Sequence, residues 1–272
     1  MWSPDRPHWH VGLSTHQVVR ARRHGLWPGR AIVCDSVDCL PAAQEAPWQA
    51  ALVALGQWLA ALDTRPPVLR VVLSGSLLRW QLLPWRPELL RAQEMAVYAR
   101  LRFAETFGPV ADTWQVLHAP QAPGRAIPAC AVDAALLSAL QTLCRSAKVR
   151  LDAVVPYFSH AADHWRGTLG KGATWFGLVE PQWLSLGLLH GGAWMALRSQ
   201  RLDADWPSVL PGLMARMAMS TDGPALPART CLVGAGVPPA AMTGMAGLPF
   251  QWLQPPGPAG VGTDARRMAL GI

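Results

Sequence analysis

Proline and glycine divide the sequence into short segments. In these segments the apolar residues follow either a strand-like or a helical pattern. Residues 68–74 form a β-branched run that ends at Gly75, which is typical of a buried strand. Residues 48–62 carry leucine at helical spacing, which is typical of a helix that packs on a sheet. Strands that alternate with single helices in this way predict an α/β fold.

The composition favours a folded protein with partner surfaces. Hydrophobic residues make up 51% of the 272 positions, so the chain can bury a full core as one large domain or two lobes. Only 15% of the residues are charged although there are 14 tryptophans, so we expect aromatic surface at interfaces. The net charge of +7 comes almost wholly from arginine. The one dense run of basic residues, 20–24, is too short to form a surface that binds a nucleic-acid groove. No nucleic-acid partner is therefore predicted.

Targeting and redox signals point to the cytoplasm. Asp5 and Arg6 stand where a signal peptide needs an apolar stretch. The most apolar stretch, residues 181–197, is shorter than a membrane-crossing helix, so we expect no membrane span. Five cysteines are widely spread without zinc-like spacing, which favours reduced, mostly buried thiols.

The segments predict two lobes with an insertion. In the insertion, strand, helix, strand, strand, helix and strand follow one another, which is the order of a split βαβ-type module. Its first helix, over residues 87–107, should place Leu90, Val97, Leu101 and Ala104 on a core face. The predicted bounds are 1–66 for the start of the first lobe, 67–150 for the insertion, 151–165 for the return of the first lobe and 166–272 for the second lobe.

The second lobe should begin after a loop over residues 159–172, which contains three glycines. Two strands, a turn at Gly191–Gly192 and a third strand predict a second sheet. A helix over residues 206–219 should cover that sheet with an apolar face. The residues of this face are Leu210, Leu213, Met214 and Met217.

This order resembles a known family. The matching segments are Leu82–Leu83–Pro84, the helix that contains Glu94, residues 103–107, 114–117 and 129–132, and the helix that ends near Val149. The chain is similar to the pilus-assembly protein PilM and the cytoplasmic domain of its secretion counterpart GspL. That resemblance implies an actin-like ATPase (RNase H-like) two-lobed fold with a small inserted subdomain.

The resemblance also locates a nucleotide cleft, and the chain departs from the family there. Actin-like ATPases hold magnesium-nucleotide between two hairpins, each with an aspartate beside a glycine. Here Ser14 and Trp175 stand at the two aspartate positions, and an indole in the cleft would fill room that phosphates need. We therefore expect a degenerate cleft with no metal, no catalytic residue, and no ATP cofactor. Its candidate residues are Gly12, Ser14, Thr15, Gly177, Gly234 and Gly236.

The resemblance implies a scaffold of a type IV pilus or type II secretion platform, and the departures at Ser14 and Trp175 lead us to expect that it is non-enzymatic. It would be cytoplasmic and peripheral at the inner membrane, reaching the membrane only through partners. The implied partners are a bitopic platform protein, whose tail it binds, and the motor ATPase; self-association stays open. An exposed edge strand in the insertion would suit partner binding by strand addition.

Three sequence features suggest functions other than a scaffold. The alternative within the same fold is a nucleotide-dependent switch or phosphotransferase. His190–Gly191–Gly192 is similar to an oxyanion segment of esterases, but the chain has no GxSxG nucleophile motif, so a turn is favoured. His160 and His164 have the four-residue spacing of a helical metal pair, yet no HExxH glutamate accompanies them.

Overall fold

A computed structural model describes most of the chain. The described residues are 8–23, 32–62, 67–89, 91–203, 205–219, 221, 229–234, 250–254 and 267–269. They fall into two compact units: the first is Met1–Leu77, Ala134–Ala161 and Gly257–Ile272, and the second is Leu78–Asp133 and Ala162–Pro256. Within the described ranges, no helix has both the length and the apolarity that crossing a membrane requires.

The secondary-structure elements are numbered in chain order. The strands are β1 His8–Leu13, β2 Gln17–Arg23, β3 Ile32–Asp38, β4 Val68–Leu73, β5 Leu78–Leu83, β6 Trp114–His118, β7 Ile127–Asp133, β8 Arg150–Pro156, β9 Thr174–Glu180, β10 Trp183–His190, β11 Ala193–Arg201, β12 Arg229–Gly234 and β13 Phe250–Leu253. The α-helices are α1 Gln49–Ala60, α2 Ala92–Phe107, α3 Ala134–Ser146, α4 Tyr157–His164, α5 Arg166–Leu169 and α6 Trp206–Met219. Short 3₁₀ turns occupy Gly75–Leu77 and Pro109–Thr113.

The first unit is built on a five-stranded sheet in the order β3-β2-β1-β4-β8. Strands β1 to β3 form an antiparallel meander, whereas β4 runs parallel to both β1 and β8. Helix α1 buries the leucines at the spacing seen in the sequence, Leu52, Leu55 and Leu59, so its prediction is confirmed. Helices α1 and α3 lie against each other.

The inserted sheet is smaller than the sequence predicted. It has three antiparallel strands in the order β5-β7-β6, and α2 covers one face. The predicted bounds, 67–150, included β4, α3 and β8. Those elements belong to the first sheet, because β8 pairs with β4 and α3 packs on α1. The insertion therefore covers Leu78–Asp133. The helix and strand that would complete a split βαβ module, α3 and β8, belong to the first unit.

The predicted core face of α2 is wrong at Val97 and Leu101, whereas Ala104 packs against the core as predicted. The buried residues are Met95, Ala99 and Phe103, which contact the inserted sheet. Val97 and Leu101 are each 58% exposed. The helix is apolar on two sides, and the side that contains Phe103 is the one that packs on the sheet. Leu90, the first residue of the predicted face, lies outside the described residues.

The second unit contains a five-stranded sheet in the order β11-β10-β9-β12-β13. Strands β9 to β11 form an antiparallel meander, and β12 is parallel to β9 and β13. Helix α6 covers one face of this sheet. The structure confirms its predicted apolar face, since Leu210, Leu213, Met214 and Met217 are all buried in the core beneath it.

The predicted loop over residues 159–172 is largely helical. Helices α4 and α5 fill most of it, and Gly170, with φ +67°, ends α5. Phe158, Ala161 and Leu169 are buried. Burial of these apolar residues favours helix over the loop that the glycines predicted.

Candidate functional site

The β1–β2 hairpin holds three candidate residues, and Ser14 stands at its turn. The Ser14 hydroxyl accepts hydrogen bonds from the amides of His16 (3.2 Å) and Gln17 (2.9 Å), and it donates to the Gln17 carbonyl (3.1 Å). The Ser14 amide also donates to that carbonyl at 3.0 Å. A serine side chain that bonds backbone two and three residues on is a standard way to close a turn. The hydroxyl at this aspartate position therefore serves the hairpin itself.

Gly12 is explained by packing within the first unit. A Cβ at this position would lie 2.8 Å from Met268 Cε and 3.1 Å from the backbone nitrogen of Ala269. Residues Arg267–Ala269 thus approach β1 more closely than any side chain there would allow. Thr15, next in the hairpin, is partly exposed.

Trp175 does not occupy an open cleft, which corrects the expectation from the sequence. Its side chain is fully buried in the core of the second unit, together with Leu184, Leu186 and Leu210. Its indole Nε1–H meets no acceptor among the described residues. The residue that the resemblance places at the second aspartate position is therefore part of the apolar core.

The glycines of the second unit lie on neighbouring strands, and packing explains both. Gly177 in β9 faces Leu232 of β12, which a Cβ would overlap. Gly234 at the end of β12 faces Trp252, where a Cβ would lie 2.8 Å from Cη2. Gly236 falls outside the described residues. Gly12, Ser14 and Thr15 belong to the first unit, whereas Gly177 and Gly234 belong to the second.

One buried carboxyl escaped the sequence reasoning. Glu180 ends β9, is 8% exposed, and pairs in register with Trp183 of β10. The sequence offered one signal, a glutamate that closes an apolar strand just before a proline. Within the ranges described, no three or more His, Cys, Asp or Glu side chains form a group that could hold a metal ion. His160 and His164 share helix α4 but are joined there by no third ligand.

The His190–Gly191–Gly192 segment is a turn, as the sequence favoured. Gly191 (φ +57°) and Gly192 (φ +78°) connect β10 to β11 as a two-residue hairpin loop with two positive φ angles. That is the type I′ geometry, which matches strand twist. The Gly191 amide donates to the Lys171 carbonyl at 3.0 Å, and Arg125 donates to the Gly191 carbonyl at 3.4 Å.

Comparison with known proteins identifies the fold. No protein-family model matches the sequence, and no curated protein matches it. The structure is similar to the cytoplasmic domain of EpsL, an inner membrane component of the type II secretion system of Vibrio cholerae. The TM-score is 0.58 at 11% identity, over 97% of this chain and 92% of that one.

Two further solved structures agree. The type IV pilus biogenesis complex PilM–PilN gives a TM-score of 0.59 at 15% identity, over 92% of this chain and 89% of that one. A Bacteroides thetaiotaomicron protein with an actin-like ATPase fold gives 0.58 at 11% identity, over 88% and 85%. The chain therefore has the actin-like ATPase fold. The structures that share this fold with it include the EpsL cytoplasmic domain and the PilM–PilN complex, so the predicted likeness in fold is confirmed.

Proposed function

We propose that this chain is a non-enzymatic assembly protein of a type IV pilus or type II secretion platform. It acts at the cytoplasmic face of the inner membrane, where it binds the cytoplasmic tail of a bitopic membrane protein. The motor ATPase is its second proposed partner. No nucleotide is needed for either contact.

The observation that carries this proposal is the loss of both metal-anchoring acids. Magnesium requires oxygen ligands, usually carboxylates, in near-ideal octahedral geometry. Ser14 supplies a hydroxyl that already makes three hydrogen bonds within its turn. Trp175 supplies an indole buried in the core. Phosphoryl transfer depends on positioning and charge neutralisation by the metal, so this pair of residues favours a scaffold over an enzyme.

The similar structures support the place of action. One is a domain of an inner membrane component of a secretion system, and another is a pilus biogenesis complex of two proteins. Several large apolar side chains are exposed on the described surface, including Leu40 (91%), Leu117 (58%) and Leu101 (58%). Exposed apolar surface on a chain with few charges fits a protein that works bound to others.

The first experiment is a calorimetric titration of the full chain with ATP and magnesium. We expect no binding tighter than about 1 mM. ADP with magnesium, and ATP with EDTA, are the matched titrations. Micromolar affinity that depends on magnesium would refute the proposal and support a nucleotide-dependent switch.

The second experiment tests the partner. The chain is co-expressed with the bitopic platform protein of its own genome, and then purified from detergent extract. We expect the two proteins to co-purify, and deletion of the cytoplasmic tail to abolish the complex. Association with neither a pilus nor a secretion platform protein would contradict the proposed role.

A further inference from the structure

Strand β6 has an edge to which no described strand is paired. It ends the inserted sheet, beside β7. The Ala119 amide donates to the Pro128 carbonyl at 3.0 Å, which fixes the phase of this antiparallel ladder. Backbone groups of Gln115 and Leu117 therefore point to β7, whereas those of Val116 and His118 point away from it. The edge thus presents an alternating row of donors and acceptors.

Most other described edge strands carry protection against strand addition, or are very short like the four-residue β13, whereas β6 carries no such protection. Strand β3 has Asp35 and Asp38 at exposed positions, and β8 has a bulge beside Asp152 and ends in Pro156. Strands β5 and β11 lie against each other within the second unit. Charges, bulges and prolines are the usual devices that blunt an edge. The sequence of β6, Trp-Gln-Val-Leu-His, contains no Asp, Glu, Lys, Arg or proline, and its register is regular.

The two faces beside this edge are chemically different. On the α2 side, Trp114 and Val116 are half-buried against the helix, and the Trp114 ring meets Phe107 edge-on at 5.3 Å. Arg100 precedes Phe107 by two helical turns and so lies on the same side of α2. It is exposed, and it has no ion pair within the described residues. On the opposite face, Leu117 is 58% exposed.

A second copy of the chain fits this edge poorly. Pairing β6 with itself about Val116 would bring two Arg100 side chains to the same side of the joined sheets. The acid nearest along the helix surface, Glu105, is already paired with Arg102 at 2.5 Å. A five-residue edge is also too short to bury the roughly 1,200 Å² that stable protein–protein interfaces need. Both considerations favour a peptide over a dimer.

We propose that β6 binds an extended segment of a partner protein by strand addition. Successive side chains of the segment point to opposite faces, so one alternate set covers Leu117 and the other set covers the Trp114–Val116 strip. It places one carboxylate beside Arg100, the unpaired cation next to the edge. This inference rests on the proposed function, and names the chemistry by which the scaffold holds a partner.

The test uses two labelled octapeptides of alternating valine and threonine, one with a central glutamate and the other with lysine in its place. Fluorescence anisotropy with the full chain should give half-saturation near 100 µM for the glutamate peptide and at least tenfold weaker binding for its twin. Arg100→Glu should invert this preference. Arg216→Glu, an equal charge change at an exposed site on α6, should leave it unchanged.

Two blocking experiments test the backbone contacts. N-methylation of the peptide amides that face the edge should abolish binding, whereas methylation of the intervening amides should not. Val116→Pro removes the outward amide and should have the same effect; circular dichroism establishes that the variant is folded. Equal binding of both peptides, insensitivity to methylation, or no binding at 1 mM would overturn the inference. So would a dimer in solution that Val116→Pro dissociates. Co-purification with a platform protein would survive any of these results, so the two proposals fail separately.

Discussion

Introducing aspartate at Ser14 and at Trp175 should have very different costs. The Trp175 side chain is fully buried in the core of the second unit. Trp175→Asp therefore removes a large apolar side chain and buries a carboxyl. Truncation of a buried tryptophan alone costs about 3–5 kcal/mol, and an unpaired buried polar group adds more. Whole domains are stable by about 5–15 kcal/mol. We therefore expect Trp175→Asp to lower the free energy of unfolding by at least about 5 kcal/mol.

Ser14→Asp should be tolerated. A carboxylate can accept the same two hydrogen bonds, from the amides of His16 and Gln17, as an Asx turn does. It loses the bond that the hydroxyl donates to the Gln17 carbonyl, at a cost of about 1 kcal/mol. The family's acid is thus compatible with the first hairpin and incompatible with the core of the second unit.

Urea denaturation followed by far-UV circular dichroism measures both effects. Trp175→Phe is the matched control, because it keeps most of the buried volume, removes an N–H without a described acceptor, and should cost less than about 2 kcal/mol. A Trp175→Asp variant with the wild-type midpoint would refute the assignment of this indole to the core. Magnesium-ATP binding by the Ser14→Asp, Trp175→Asp double variant would refute the inference that the structural roles of these two positions exclude a nucleotide site.

Three further outcomes follow from particular contacts. Lys148 lies in the turn after α3 with φ +55°, so Lys148→Gly should raise the free energy of unfolding by about 1 kcal/mol in urea denaturation, whereas Lys148→Ala should not. Gly12→Ala should cost about 1–3 kcal/mol, since its methyl would press on Met268 and the Ala269 backbone; a wild-type melting temperature would contradict this. Burial raises the pKa of the Cys130 thiol, so the unfolded chain loses this proton first as pH rises above about 9. Stability should then fall by up to about 1.4 kcal/mol per pH unit, and Cys130→Ala should show a shallower fall between pH 9 and 10.

The sequence was most informative for α6, whose four predicted core residues are all buried. Helix α2 shows the converse: Val97 and Leu101 form as regular an apolar row as Met95 and Ala99, and periodicity cannot rank two rows. The predicted bounds of the inserted module were too wide for a different reason. The pairing of β4 with β8 joins distant segments, and no local pattern encodes it.

For the candidate site, the sequence identified the substitutions but not what the new residues do. Ser14 was placed correctly at a hairpin, whereas its hydrogen bonds required coordinates. Strand β9 is buried on both faces from Thr174 to Leu178, so alternation could not tell whether Trp175 faces a cleft or a core. The absence of ATP binding remains a prediction that only the titration can test.

The contact of Met268 and Ala269 with Gly12 joins positions separated by nearly the whole described sequence. A ribosome that has made β1 must still add almost everything else before this contact can form. All five strands of the first sheet have been made once Pro156 is added, but the part of β1 that residues 267–269 cover stays uncovered until those residues are synthesised. Long-range closure of this kind slows folding and exposes a chain to wrong associations, so this unit is where we expect a growing chain to need chaperone protection.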